Sequence, residues 1–271
     1  MKAPVGSRQR TTPKGGYDPR RYQWLATIAD RHFWFRARNR VIAALGARLI
    51  ARLPSGFRVL EIGCGTGNVL RVLERLCGWG VVVGLDLYNE GLHFARRHTH
   101  CLLVQGDARA LPFGCEFDVV CAFDVLEHFN DDADVLSKIS ALLKPRGALL
   151  LTVSAHMSLW SYFDDATGHC RRYSRSLLAA RLADSGYSVE FLSEYMASIL
   201  PLIWFGRRVV GVARRRFRER ISPAELTHRD FRIIPGLNDL LALLLSLEAV
   251  WLARKHRLPF GASLLAVARK L

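Results

Sequence analysis

From Phe57 onward the chain alternates short apolar runs with segments whose apolar residues recur every three or four positions. A short, continuously apolar run fits a strand covered on both faces, and the longer period fits a helix with one buried stripe. RVLEI (58–62) reads as a strand, and 68–77 as a helix burying Val69, Val72, Leu73, Leu76 and Cys77. VVVGLD (81–86), CLLVQGD (101–107), FDVVCAF (117–123) and ALLLTV (148–153) read as further strands, with a helix over 90–98. Asp131, Asp132 and Asp134 open another helix, where the positive end of its dipole favours them. It buries Val135, Leu136, Ile139, Leu142 and Leu143 and stops at Pro145 and Gly147. Strands separated by helices of this length pair in parallel, so the pattern predicts an α/β fold with a doubly wound sheet. Ligands then bind at the carboxyl ends of the strands. A helix over 174–185 and strands YSVEFLSEY (187–195) and SLLAVARK (263–270) complete the alternation.

Five segments follow. Residues 1–20 read as a mobile basic tail, 21–56 as an N-terminal helical cap and 57–196 as the core; 259–271 carries the final strand. The 62 residues of 197–258 are too many for a plain connection and have helical periodicity of their own, so they read as a mostly helical insertion. The N-terminus has no apolar stretch of the kind that makes a signal peptide. The longest apolar run, 240–252, is interrupted by Ser246 and Glu248 and is too short to span a bilayer. Six cysteines, at 64, 77, 101, 115, 121 and 170, form no C-x-x-C pair and no zinc spacing, which predicts free thiols in a reducing compartment.

The glycine loop carries the strongest chemical signal. Glu61-Ile62-Gly63-Cys64-Gly65-Thr66-Gly67 follows a strand and precedes a helix, so the backbone can turn tightly and let a ligand approach. Its G-x-G-x-G spacing differs from the G-x-G-x-x-G of a pyrophosphate seat. Asp86 ends the next strand, where a carboxylate can accept two hydrogen bonds from a ribose diol, and Asp107 follows the third, where it can accept from an adenine amino group.

VLEIGCGTG, GLDL, GDARALPF, FDVVCAFDVLEHF and LLKPRGALLLTVS together resemble, in order, the motifs of class I S-adenosylmethionine-dependent methyltransferases. The resemblance covers about 57–195. It implies a Rossmann-like seven-stranded sheet whose last strand, SLLAVARK, is antiparallel, and S-adenosyl-L-methionine as cofactor. By the same resemblance Glu61, Gly63, Cys64, Gly65 and Gly67 line the methionine half, Asp86 and Leu87 meet the ribose, Asp107 and Ala108 the adenine, and Phe123 closes the floor. His32-Phe-Trp-Phe-Arg-Ala-Arg38 is similar to the H-W-W-F-x-x-R segment of bacterial members, in which a helix folds over the cofactor and Arg36 or Arg38 pairs with the methionine carboxylate.

A sulfonium methyl is already activated, so the protein's task is to orient the partners and exclude water, with a base only where the acceptor keeps its proton. Asp124, His128, His169 and Tyr173 are the expected catalytic residues, with His156 a further candidate base near the strand ends. Asp124-Val-Leu-Glu127-His128 is also similar to the E-x-x-E-H metal site of ubiquinone-biosynthesis O-methyltransferases and of small-RNA methyltransferases, which leaves a divalent metal open; the other reading is a metal-free loop. His169-Cys-Arg171-Arg172-Tyr173-Ser174 resembles an H-x-R-R-Y/F-S stretch beside the acceptor pocket, so Arg171 or Arg172 is expected to hold an acceptor phosphate or carboxylate. The alternative is a capping loop with Ser174 as N-cap.

Composition narrows the partner. The chain carries 39 Lys and Arg against 24 Asp and Glu, a formal +15 over 271 residues, and half its residues are hydrophobic, which excludes a disordered chain and points to a polyanionic partner. Residues 1–58 hold 13 basic and 2 acidic side chains, 59–154 hold 8 and 12, and 155–271 hold 18 and 10. The basic flanks therefore read as docking surfaces around a mildly acidic core. In 197–258, MASILPLIWFG (196–206) is followed by Arg207, Arg208, Arg214, Arg215, Arg216, Arg218 and Arg220, and the leucine-rich 237–252 by Arg254, Lys255 and Arg257. Apolar residues beside dense arginines describe an element that lies on an anionic membrane surface; the alternative is a helical cap on the sheet edge. The expectation is a cytoplasmic enzyme at the inner face of a membrane, moving a methyl to O or N of a lipid-linked or other hydrophobic acceptor. An RNA 2′-O-methyltransferase is the second reading, with no N/D-P-P-Y/F motif to support it. A non-catalytic binding protein is the third. The sequence does not fix an oligomeric state.

Overall fold

The computed structural model describes residues 18–217 and 222–271. Helices α1 (Arg21–Ile28) and α2 (Phe33–Ile50) precede the alternating region. Then come β1 (Arg58–Ile62), α3 (Leu70–Leu76), β2 (Val81–Asp86), α4 (Asn89–Ala95), β3 (Leu102–Gln105) and β4 (Phe117–Phe123). The second half runs through α5 (Asp132–Leu142), β5 (Leu143–Ser154), α6 (Tyr162–Thr167), α7 (Arg175–Asp184) and β6 (Tyr187–Tyr195). It ends with α8 (Leu200–Phe217), α9 (Pro223–Asp230), α10 (Leu237–Ala253) and β7 (Ser263–Lys270).

The strands form one seven-stranded sheet in the order β3-β2-β1-β4-β5-β7-β6. The first five pair in parallel, and β7 runs antiparallel to both β5 and β6. The expected class is therefore met, including the antiparallel last strand. Strand order reverses between β1 and β4, and a crevice opens at the carboxyl ends of such a pair. Strand β5 begins earlier than the apolar run ALLLTV: Leu143 pairs with Phe117, and the register slips before Val119 meets Ala148. Arg146 takes φ 61° in this slip, so Pro145 and Gly147 mark a bulge as well as the end of α5.

Alternate strand residues feed two cores. Leu60, Val120, Leu149, Leu151 and Ala266 face α5 and α7. Val59, Val119, Cys121, Leu150 and Leu265 face the other way, toward α2, α3 and α10. Here the expectation of an appended insertion gives way. Leu241, Leu245, Ala249 and Leu252 of α10 belong to the core with Val41, Ile42 and Leu45 of α2. Two helices almost 200 residues apart build one covering layer, which no local pattern reveals. Of the expected basic tail, 1–17 lie outside the described residues, as do Arg218 and Arg220. All six thiols are free. No helix among the described residues is long and apolar enough to cross a membrane.

Candidate functional site

A cavity of about 760 Å³ lies at the carboxyl ends of β1, β2 and β4, roofed by α1 and the start of α2. That volume suits a small-molecule site. A smaller cavity of about 460 Å³, bounded by Arg48, Arg52, Glu190 and Lys255, lies against the other end of α2 and holds none of the expected site residues.

The glycine loop builds one half of the large cavity, the half expected to take a nucleoside. Gly63 and Gly65 take φ 73° and 52°, and a Cβ on Gly63 would stand 2.6 Å from Val125. The amides of Gly63 and Cys64 donate to the Leu85 carbonyl at 2.8 and 3.1 Å, which ties the loop to β2. Gly65 N–H donates to Asp86 at 2.7 Å, and Tyr88 N–H to its other oxygen at 2.9 Å. Tyr22 of α1 adds its hydroxyl at 3.1 Å. Burial pushes the Asp86 carboxyl up, and these donors work against it. Leu87, Asp107, Ala108 and Phe123 all line the cavity, with Asp107 gripped by Arg109 at 2.6 Å.

Two expected residues serve differently. Gly67 is not at the cavity wall: a Cβ there would be 3.0 Å from Ala95 and Thr99, so its bareness lets α4 approach. Cys64 lines the wall, but its side chain is buried and its sulfur would stand 3.0 Å from a Cβ on Gly84, so it also packs under β2.

Glu61 and Arg38 meet at the cavity floor. Glu61 is buried, its Oε2 has no hydrogen-bond partner, and burial pushes its carboxyl well up despite the nearby Arg38 charge. Arg38 donates to Asp124 at 2.9 Å and leaves its buried Nε unpartnered. Asp124 takes φ 57°, an uncommon conformation for a non-glycine residue, and its other oxygen accepts the Thr152 hydroxyl at 2.9 Å. An unpartnered carboxylate oxygen and an unpartnered guanidinium nitrogen suit an amino-acid zwitterion, so the residues fit the methionine end of the expected cofactor. Arg36, the other expected partner of that carboxylate, pairs instead with Asp239 at 2.8 Å.

The other half is aromatic. Phe35 and Phe231 stack with centroids 5.6 Å apart, and Phe163 lies 6.0 Å from Phe231. His128 and His169 meet edge to face at 4.9 Å. Burial lowers His128 to about 4, so it is neutral at pH 7. His169 donates or accepts through Nδ1 to Asp164 at 2.9 Å.

Three expected residues do not reach this wall. Tyr173 is fully buried and gives its hydroxyl to Asp132 at 2.8 Å, and its ionisation is pushed up first by burial and then by that bond. Arg172 is buried and bonded to Asp164 and the Ala155 carbonyl. Arg171 holds Asp132 and the Asn130 carbonyl. Their charges are spent on internal partners, so they are framework, not acceptor ligands. The further candidate His156 is paired with Glu194 at 2.8 Å. Two of the three expected metal ligands are engaged elsewhere. Glu127 is fully buried with Oε1 on the Ser154 amide, Asp124 is paired with Arg38, and no three His, Cys, Asp or Glu among the described residues could hold an ion.

Sequence reasoning missed Tyr22, Phe163, Asp164 and Phe231. Only Asp164 left a trace, as the acid of the capping box Ser161-x-x-Asp164.

Comparison with known proteins bears on this geometry. A family model described as a methyltransferase domain matches residues 34–191. A Mycolicibacterium smegmatis protein named a probable S-adenosylmethionine-dependent methyltransferase is 29% identical over 168 residues, 60% of this chain and 62% of that protein. The ubiquinone biosynthesis O-methyltransferase of Thiobacillus denitrificans is 29% identical over 54% of this chain and 55% of its own length. A fatty-acid O-methyltransferase of M. smegmatis is 38% identical over 36% and 37%. The matches thus span between about a third and three fifths of these relatives. Among solved structures, Haemonchus contortus phosphoethanolamine N-methyltransferase 2, in complex with phosphomonomethylethanolamine and S-adenosylhomocysteine, superposes with a TM-score of 0.55. At 20% identity, covering 86% of this chain and 52% of that one, it speaks for the fold alone.

Proposed function

This chain belongs to the methyltransferase-domain family, and from that premise we propose that it moves a methyl group from S-adenosylmethionine to an oxygen or nitrogen of a hydrophobic acceptor held at a membrane surface. The glycine loop and Asp86 would hold the nucleoside, and Glu61 and Arg38 the amino-acid end. The donor supplies an activated methyl group when bound. The protein's part is to align the acceptor and keep water out, which suits the aromatic wall of Phe35, Phe163 and Phe231.

One observation supports the membrane: beyond Asp239 of its first turn, which is exposed and pairs with Arg36, α10 has its polarity turned inward. Asn238 bonds the Phe33 amide at 2.8 Å and the Arg31 carbonyl at 3.0 Å. Ser246 faces Arg40. Glu248 accepts the amides of Ala197 and Ser198 at 3.0 and 2.6 Å. The outward face instead carries Leu240, Leu243, Leu247, Val250 and Trp251, each about half exposed or more. Leu202, Trp204 and Phe205 of α8 add exposed apolar surface, and Arg208 lies over the Trp204 ring. Exposed Arg254, Lys255 and Arg257 follow α10. Covering the exposed half of each large side chain is worth roughly 1 kcal/mol, and each basic residue near an anionic surface about 1 kcal/mol more. Naked RNA would answer the charge but leave the leucines in water.

The test is flotation with phosphatidylcholine vesicles, with and without phosphatidylglycerol, beside calorimetry with S-adenosylhomocysteine. Binding to the anionic vesicles, weakened by salt and lost in a Leu243→Asp/Leu247→Asp variant, is the expected result. Binding of RNA with no affinity for any vesicle would replace this reading with the nucleic-acid one. No affinity for S-adenosylhomocysteine would remove the methyl-transfer reading itself.

A further inference from the structure

Between the aromatic wall and the nucleoside half lies a carboxylate–imidazole pair whose geometry can be followed atom by atom. At the end of α6 the chain turns at Gly168, and the His169 amide donates back to the Asp164 carbonyl at 3.0 Å. This brings the imidazole over the Asp164 side chain, Nδ1 to Oδ1 at 2.9 Å. The carboxylate is fully buried and takes three further donors: Arg172 Nε at 2.7 Å, Arg172 Nη2 at 3.1 Å and the Ser161 amide at 2.9 Å. Burial alone would raise its ionisation. The His169 bond and the Arg172 guanidinium outweigh that and hold it at about 2. An ionised carboxylate only accepts, so Nδ1 must carry the hydrogen. Nε2 is then the bare nitrogen. It makes no hydrogen bond within the described residues, and the ring lines the large cavity.

We propose that His169 is the base that removes the proton from a neutral hydroxyl acceptor, and that Asp164, held by Arg172, is the positioning residue that presents its Nε2. This rests on the methyl-transfer reading and names its acceptor class. The hydroxyl oxygen forms the new C–O bond to the methyl carbon, the C–S electron pair stays on sulfur, and the proton passes to Nε2. A fatty carboxylate is already an anion at neutral pH and needs no such base. Of the acids that line the cavity, Asp124 is paired with Arg38, Asp107 with Arg109 and Asp134 with Lys138, Asp86 and Asp131 accept backbone amides, and Glu61 is assigned to the amino-acid end of the cofactor, so none is left for an ammonium. A hydroxyl on an aromatic ring fits best, since Phe35, Phe163 and Phe231 line the cavity and Phe163 lies beside His169.

The charged and titratable groups around His169 are Asp164 of α6, Arg172 before α7, Glu127 and His128 of the turn after β4, Asp124 at the end of β4 and Arg21 of α1. Only Asp164 touches Nδ1, so the tautomer tests it.

Transfer of labelled methyl is followed with 4-nonylphenol, nonanoic acid and nonylamine as acceptors, and nitrogen NMR of the intact protein reports the tautomer of His169. Expected are methylation of the phenol, a fall in kcat of about 100-fold in His169→Gln and unchanged affinity for S-adenosylhomocysteine. Added imidazole should restore part of the rate in His169→Ala. In Asp164→Asn the nitrogen spectrum should show a larger share of the form with hydrogen on Nε2, because Nδ1 loses the acceptor that holds its hydrogen. The tautomer is read on the unaltered protein, so it stands even where the Asp164 variant fails to fold. Hydrogen on Nε2 instead of Nδ1, a His169→Gln rate within twofold of the original, or absence of transfer to the phenol overturns the proposal. If S-adenosylhomocysteine still binds in those cases, this inference falls and the family-level reading stands.

Discussion

Helices α5 and α10 cover opposite faces of the same sheet, and inside they obey the same rule. Each buries a row of aliphatic residues: Val135, Leu136, Ile139 and Leu142 in α5, and Leu241, Leu245, Ala249 and Leu252 in α10. Each also turns one acid inward. Asp132 is held by Arg171, Arg181 and the Tyr173 hydroxyl, and Glu248 by the amides that open the way to α8. The outsides differ. Helix α5 shows water Asp134 and Lys138, paired one turn apart, and α10 shows it leucines and Trp251. A sheet-facing side is dictated by the sheet, and an outward side by the medium it meets. The difference between the two helices is therefore a statement about their surroundings.

That comparison can be broken by substitution. The largest effect should come from Ile139→Ala, which empties a fully buried site and should cost about 3 kcal/mol in urea unfolding. Removing the inward acid with Glu248→Ala strands two amides and should cost about 2 kcal/mol. A loss below half of that would mean that Glu248 is not the anchor described. Next is a surface effect: Arg254→Ser with Lys255→Ser should weaken binding to anionic vesicles by roughly 1 kcal/mol for each charge and leave urea unfolding unchanged. The smallest change in stability belongs to Leu247→Ala, within about 0.5 kcal/mol, because the side chain is 63% exposed. A large destabilisation there would show that α10 packs against protein, and the contrast with α5 would vanish.

How much of this was readable in advance follows from how local each feature is. VVVGLD, FDVVCAF and SLLAVARK are strands with the ends their apolar runs suggest, because burial on both faces leaves a nearly continuous mark in the sequence; RVLEI and the edge strand YSVEFLSEY, whose Ser188 and Glu190 are exposed, also keep their expected ends. Helix ends were less legible: the segment read as 68–77 is helical over Leu70–Leu76. The glycine loop and Asp86 could be read because one turn and the next strand end make that half of the cavity. In the other half His128 and His169 could be read, but the aromatic wall could not. That wall joins Phe35, Phe163 and Phe231 from three distant segments, and no spacing links them. The R-R-Y stretch misled for a related reason. Arginine and tyrosine look alike in sequence whether they face a ligand or, as Arg172 and Tyr173 do, a buried carboxylate.

The sheet order carries a consequence for how the molecule is made. Strand β6 reaches the sheet only through β7, and residues 196–262 lie between them. At a synthesis rate of about 5–20 residues per second, β6 waits on the order of seconds for its neighbour to leave the ribosome. Throughout that interval the nascent polypeptide holds an unzipped hydrophobic edge together with the greasy helices that follow it. Vectorial production therefore leaves β6 without its neighbour until the final strand closes the gap.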